Sequence, residues 1–258
     1  MAGFLFEDII FGPVHSRRLR SSLGINLLPL HRKYCSFNCI YCECGWTKPS
    51  DGSEPVFPSR GQVAQFLEKR LISLKEAGHA PDSLTYAGNG EPTLHPEFAG
   101  IVEDTIALRD RYFPATKVSV LSNASKTGDQ GVFNALLKLD NNIQKLDAGS
   151  ERFFHLVNQP VSDMSLETIV ENLRKFNGKV IIQSLFLRGR WNGEEIDNTG
   201  AAEVSLWLNH ITMIRPSMVM VYPIDRATPA RGLEQVSRPE LEEIALKVRQ
   251  AGIRAEIY

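Results

Sequence analysis

Long apolar runs are missing from this sequence. No stretch of its 258 residues approaches the ~18 consecutive apolar side chains of a membrane-spanning helix, and no basic region followed by an apolar core and a cleavage site opens the chain. A cytoplasmic location without a membrane partner is therefore expected. An excess of one charge is also lacking: 29 Lys and Arg against 30 Asp and Glu leave a net charge of -1, which gives no general attraction for nucleic acid. Cysteine is scarce and confined. The four cysteines all fall between Cys35 and Cys44, where they are poorly placed to staple so long a fold by disulfides. Thiols gathered in ten residues point to metal instead.

Three of them stand as Cys35-Ser-Phe-Asn-Cys39-Ile-Tyr-Cys42, a C-x3-C-x2-C spacing. A structural zinc site usually takes four ligands, commonly as two close pairs separated by a spacer, and the second pair is absent. Cys44 forms a C-x-C with Cys42, too tight for easy co-ligation, and reads as a nearby free thiol. An iron–sulfur cluster fits better. Three thiolates hold three corners, leaving the fourth iron open to a substrate or cofactor. Phe37 and Tyr41 would shield such a centre from water.

Hydrophobic patterning predicts an α/β fold. Residues 4–11 form an apolar cover that turns at Gly12-Pro13, and Leu23 to Leu30 suits a buried parallel strand from whose end the cysteine loop leaves. Residues 45–61 read as a flexible connection, and Ser59-Arg-Gly-Gln62 as a capping box before a helix. Strands at 84–87, 117–121, 143–146, 180–187 and 218–222 alternate with helical patterns at 96–110, 130–139, 151–158, 166–176 and 200–213. Ser237-Arg-Pro-Glu240 caps a last helix, before a short strand at 254–258. The expected architecture is a partial (βα)6 TIM-like barrel with a short N-terminal extension, in one domain over 1–258. Residues 1–22 are the cover, 23–230 the barrel core and 231–258 the C-terminal helix and strand. In such folds ligands gather at the C-terminal strand ends. Gly88-Asn89-Gly90-Glu91, Asn123, Lys145, Asp147, Gln183 and Tyr222 all fall at or near those ends.

With these motifs in order, the chain resembles the radical S-adenosylmethionine (SAM) superfamily. Phe11-Gly-Pro-x-x-Ser16-Arg17-Arg18, Ser22-Leu-Gly-Ile-Asn26, Gly88-Asn-Gly-Glu-Pro-Thr-Leu-His-Pro96, Lys145-Leu-Asp-Ala148 and Tyr222-x-x-Asp225-Arg226 resemble a branch of uncharacterised iron–sulfur oxidoreductases related to the wyosine-synthesis enzymes. The resemblance implies a [4Fe–4S] cluster on Cys35, Cys39 and Cys42, with SAM on the open iron. It further implies that Tyr41 and the peptides of Gly88, Asn89 and Gly90 border the cofactor, and that Glu91 accepts from its ammonium. Asn123 would face the methionyl group, Asp147 the ribose and Gln183 either. The activity implied is reductive cleavage of SAM to a 5′-deoxyadenosyl radical that takes hydrogen from a small molecule, peptide or nucleotide. A one-electron reductant such as a flavodoxin or ferredoxin would be the partner.

Wyosine-synthesis enzymes carry a second cluster on further cysteines, which this chain does not have. A tRNA-modifying enzyme related to wyosine synthesis, with nucleic acid as a less favoured partner, and a non-catalytic iron–sulfur binding or electron-transfer module are the alternatives open at this point. No catalytic side chain is assigned. Lys145 is expected in a salt bridge, and His15, His31 and His95 in turns. Arg17, Arg18, Arg20, Arg32 and Lys33 flank the first strand as solvated charges or as partners of an anionic ligand. Trp191-Asn-Gly-Glu194-Glu195 is expected as a long loop over the barrel mouth.

Overall fold

The computed structural model describes residues 3–47 and 52–258; part of the connection expected over 45–61 lies outside them. An antiparallel hairpin, β1 (Ile10–Ser16) and β2 (Arg20–Ile25), opens the sheet. From β2 the sheet continues in parallel, in sequence order, through β3 (Ser83–Tyr86), β4 (Lys117–Ser122), β5 (Asn141–Lys145), β6 (Ile181–Trp191), β8 (Met218–Pro223) and β10 (Ala255–Ile257). Helices α1 (Arg60–Glu76), α2 (Phe98–Tyr112), α3 (Gln130–Leu136), α4 (Glu151–Val157), α5 (Leu166–Arg174), α6 (Ala201–Ile214) and α7 (Arg238–Gln250) fill the crossovers. This is the partial (βα)6 barrel that the alternating pattern implies. No helix among the described residues is long and apolar enough to cross a membrane.

Local chemistry sets the boundaries. Ser59 with Gln62 and Ser237 with Glu240 form capping boxes at the starts of α1 and α7, each satisfying otherwise orphaned amides. The first parallel strand is shorter than expected and starts earlier. It ends at Ile25 because the Asn26 side chain turns the chain, accepting from the amides of Leu28 and Asn89. The segment expected as a loop after Trp191 is a hairpin: β6 continues into β7 (Glu194–Asp197) through Asn192-Gly193, both at positive φ, and β9 (Leu233–Gln235) pairs antiparallel with the same extension of β6. Asn-Gly is the favoured pair for such a two-residue turn.

The sheet separates two interiors. Leu23, Leu84, Val118, Val120, Ile182, Val219 and Val221 face the helices and pack on Leu67, Leu71, Val102, Leu173, Trp207, Ile211, Leu241 and Ile244. The opposite face lines the inside of the barrel and is largely polar. Ser22, Thr85, Ser83 and Ser119 form a hydroxyl ladder at 2.7–2.9 Å, joined by the Asn141 amide. Its apolar floor is small: Ile143 and Met220 with Leu19, which the β1–β2 turn inserts among Leu121, Ile181, Met218 and Tyr258.

Candidate functional site

The cysteine loop leaves the end of β2 and is tied to the barrel on both flanks. On one side Tyr34 pairs like a strand with the Gly88–Glu91 loop: its amide donates to Asn89 O at 2.8 Å and its carbonyl accepts from Glu91 N at 3.1 Å. Gly90 makes this approach feasible, since a Cβ there would stand 1.9 Å from Tyr34 O and its φ of +142° disfavours a side chain in any case. On the other side Asn38 N and Ile40 N donate to the carbonyls of Asn158 and Val157 at 3.0 Å, and Val161 N donates to Ser36 O at 2.9 Å. The loop conformation is thereby set by β3 and by the end of α4.

Cys39 is buried, while Cys35, Cys42 and Cys44 are half-buried and unpaired with one another by disulfide. Amides reach two of the sulfurs: Asn123 Nδ2 lies 3.5 Å from Cys35 Sγ and Asn158 Nδ2 3.5 Å from Cys39 Sγ. Burial pushes the Cys35 thiol up to about 12 and Cys39 upward as well. Hydrogen bonding with Cys44 pulls Cys42 down, against burial, and raises Cys44, whose Sγ also contacts Gly88 O at 3.4 Å. Lys33, only 6% exposed, places Nζ on Gly45 O at 2.9 Å. Burial alone would lower its pKa, but Cys42, Cys35 and Cys39 outweigh burial and raise it. An ammonium so placed is stable beside thiolates rather than thiols.

The remaining rim residues are bonded mainly to one another. Glu91 is buried; its Oε1 accepts from Thr93 N at 3.0 Å and Thr93 Oγ1 at 2.5 Å, and its Oε2 from Asn123 N at 2.6 Å. The Ser122 hydroxyl hydrogen-bonds the same carboxylate. Burial raises the carboxyl's pKa. Asn123 donates to Ser36 Oγ at 2.9 Å and accepts from Ser125 N at 3.0 Å. Asn89 spends its whole side chain on the N-terminal segment and the stretch after β2, accepting from Phe6 N and donating to Phe6 O and Pro29 O. Asp147 is also fully engaged: Leu185 N donates to Oδ1 at 2.9 Å, Tyr41 OH and Asn158 Nδ2 donate to Oδ2, and Lys145 Nζ stands 3.5 Å away. Asp147 pushes the Tyr41 phenol up further after burial has done so, and Tyr41 points into the barrel.

Gln183 lies on the inner face of the barrel. β6 runs to Trp191, so Gln183 lies early in its own strand, but it is in register with Lys145, the last residue of β5, and with Met220 of β8. Its Oε1 accepts from Arg18 NH1 at 2.6 Å. The five basic residues around β2 do not form one patch. Arg17 pairs with Asp225 at 3.1 Å, Arg18 enters the barrel, and Lys33 is buried at the thiols. Lys145 makes the expected salt bridge and also donates to Tyr222 OH at 3.2 Å. His95 is structural, with Nε2 on Pro58 O at 2.8 Å and Nδ1 accepting from Glu97 N at 3.0 Å.

Among the described residues no three His, Cys, Asp or Glu side chains close on one point as the ligands of a single metal ion would. That leaves a cluster open, because each of its thiolates binds a different iron. The donor set fits one: three separated thiols on a rigid loop, amide donors at two sulfurs and a buried ammonium among them.

The fold is that of the radical SAM enzymes. A radical SAM methyltransferase from Sphaerobacter thermophilus superposes with a TM-score of 0.66 over 92% of this chain and 65% of its own, at 13% identity. Streptococcus suis SuiB bound to S-adenosylmethionine gives 0.62 over 91% and 50% at 12% identity, and archaeal TYW1 0.54 over 89% and 72% at 12% identity. No protein-family model matches the chain. A UPF0026 protein of Helicobacter pylori is 30% identical over 241 residues, covering 92% of this chain and 73% of that protein, so the chain belongs to the UPF0026 family. A UPF0026 protein of Methanocaldococcus jannaschii is 33% identical over 183 residues, and a protein named GTPase Obg of Brachyspira hyodysenteriae 29% identical over 253. The chain spans 54% and 34% of the lengths of these two.

Proposed function

We propose that the chain is a radical SAM enzyme in which Cys35, Cys39 and Cys42 hold a [4Fe–4S] cluster and the rim beside them receives SAM. The observation that carries this is Lys33, an ammonium buried among three thiols and hydrogen-bonded to Gly45 O and the Cys42 sulfur, with no carboxylate beside it among the described residues. Such a cation is hard to account for unless the sulfurs carry charge. When bound, the cluster and SAM together supply one-electron cleavage of the sulfonium and a 5′-deoxyadenosyl radical that abstracts hydrogen from a substrate.

The protein's own part is to position and to exclude. Lys33 offsets the thiolate charge, and the Asn123 and Asn158 amides orient Cys35 and Cys39 and tune them by hydrogen bonding. Phe37 and Tyr41 keep water from the sulfurs. Gly88 and Gly90 let Asn26 and Tyr34 pack directly against the loop backbone, and the Glu91 carboxylate that this loop carries would accept from the SAM ammonium. Asn123 takes part through the same edge of the rim. Asn89 and Asp147 serve as scaffold, Asp147 by holding Tyr41 and Lys145 in the barrel. The reductant is a small one-electron carrier such as a flavodoxin or ferredoxin, and the substrate sits inside the barrel.

The test is anaerobic reconstitution with iron and sulfide followed by electron paramagnetic resonance of the reduced protein. A [4Fe–4S] signal that changes shape on adding SAM is the expected result. A full cluster whose signal ignores SAM would favour the electron-transfer module instead.

A further inference from the structure

The barrel interior holds one charged group for which the scaffold offers no opposite charge. The β1–β2 turn carries Arg18 inward, where its guanidinium has one hydrogen bond, to Gln183 Oε1 at 2.6 Å, and lies over the Tyr222 ring with Cζ 4.6 Å from the centroid. Among the described residues it has no carboxylate partner. The acids around it are committed elsewhere: Asp225 to Arg17, Asp147 to Lys145, Tyr41 and Asn158, and Glu256 to Arg254 and Tyr258. A guanidinium has five N–H donors and stays charged, so half-burial against an amide and a ring leaves it under-compensated.

Gln183 adds a second donor. A guanidinium only donates, so Oε1 must face Arg18 and the Nε2 amide is turned away from it. That amide has no hydrogen-bond partner among the described residues, although Gln183 is only 4% exposed. Lys145 supplies a third. Its ammonium donates to Tyr222 OH at 3.2 Å and stands 5.9 Å from the centroid of the ring that Arg18 covers, so both cations flank one tyrosine. Lys145 and Tyr222 are both half-buried although they face the barrel interior, which is therefore open at their level.

We propose that Arg18, Lys145 and the Gln183 amide form a docking site for an anionic group, a carboxylate or a phosphate, on the substrate. This inference rests on the barrel interior being the substrate chamber of a radical SAM enzyme, and it narrows the substrate to an anion. An incoming oxyanion completes the hydrogen bonding of Arg18 and Gln183 together, in charge-assisted bonds away from bulk water. Arg18, delivered by a turn 165 residues before its partner, then acts as the specificity-determining residue. Gln183 is a positioning residue that also contacts the anion.

Inorganic phosphate and acetate are the probes, titrated into the reconstituted protein by calorimetry at constant ionic strength, with chloride as the reference. SAM affinity is measured separately on the same samples. One of the two anions is expected to bind well above chloride, tighter phosphate pointing to a phosphorylated substrate and tighter acetate to a carboxylate. Arg18→Gln should weaken that binding at least about tenfold with SAM affinity unchanged. Gln183→Glu, which supplies Arg18 with an internal carboxylate, should weaken it equally while melting no lower than the parent protein. Lys117→Gln alters the outer recess that Arg18 also lines and the surface pair with Asp140, and should leave anion binding unchanged. Failure of SAM to bind would count against the enzyme reading and leave the anion titration interpretable. Anion binding no better than chloride, or binding that survives both Arg18→Gln and Gln183→Glu, would overturn the proposal, as would an equal loss of SAM affinity in Arg18→Gln.

Discussion

The rim around the cysteine loop and the wall around Tyr222 lie a few residues apart on the same strands, yet their polar groups are balanced differently. On the rim, Glu91, Asn123, Asp147 and Asn158 mostly satisfy one another and the loop backbone. On the wall, Arg18, Lys145 and Gln183 bring more donors than the protein has acceptors to meet them. The difference separates preorganisation from readiness. The first set fixes thiols in place before any ligand arrives, and the second is completed by something outside the chain.

Changes on the rim should therefore cost stability. The largest loss is expected for Asp147→Ala, which strips Lys145 of its buried counter-charge and leaves Tyr41 and Asn158 without their shared acceptor; about 3 kcal/mol should be lost in a guanidinium melt of the apo protein. Glu91→Gln turns an amide N–H2 toward either Thr93 or the Asn123 amide, where only acceptors suit, and should cost about 1–3 kcal/mol by the same measurement. If Arg18→Gln cost as much as these, the wall would be scaffold too and the contrast would collapse.

The smallest effect lies remote from both regions. Burial would raise Asp140, but the Val118 amide, Arg109 and Lys117 outweigh it and the carboxyl ends below its ordinary 3.8. Its folded pKa is thus lower than its unfolded one. Its contribution is fully present above pH ~4 and disappears as pH falls through the folded value. Asp140→Asn should destabilise by about 0.5–1 kcal/mol at neutral pH, with the gap to the parent closing in acid melts.

Much of the frame was legible from the sequence because it depends on short-range rules. Period-3.6 stripes and serine caps locate α1 and α7, and the βα alternation gives strand order. The cysteines are legible because ligand spacing is local. What escaped depends on distance through space. Asn158 touches Cys39, Tyr41 and Asp147, but in sequence it is an ordinary polar residue at the end of α4. Sequence leaves Arg18 as one of five basic residues that either face solvent or meet an anion, and only the β1–β2 hairpin, whose turn points inward, singles it out from the other four. Gln183 stands level with Lys145, the last residue of β5, although its own strand runs on to Trp191, an extension that the sequence pattern does not show. The β6–β7 hairpin was signalled by Asn192-Gly193, a turn signature overshadowed by the charged residues after it.

The most direct measurement is product analysis after anaerobic reduction of the reconstituted protein with SAM, comparing the parent with Cys39→Ala. Formation of 5′-deoxyadenosine and methionine by the parent alone is the expected outcome. A parent protein carrying a complete cluster yet releasing neither product, or a Cys39→Ala protein releasing both at the parent rate, would contradict the assignment of the cysteine loop.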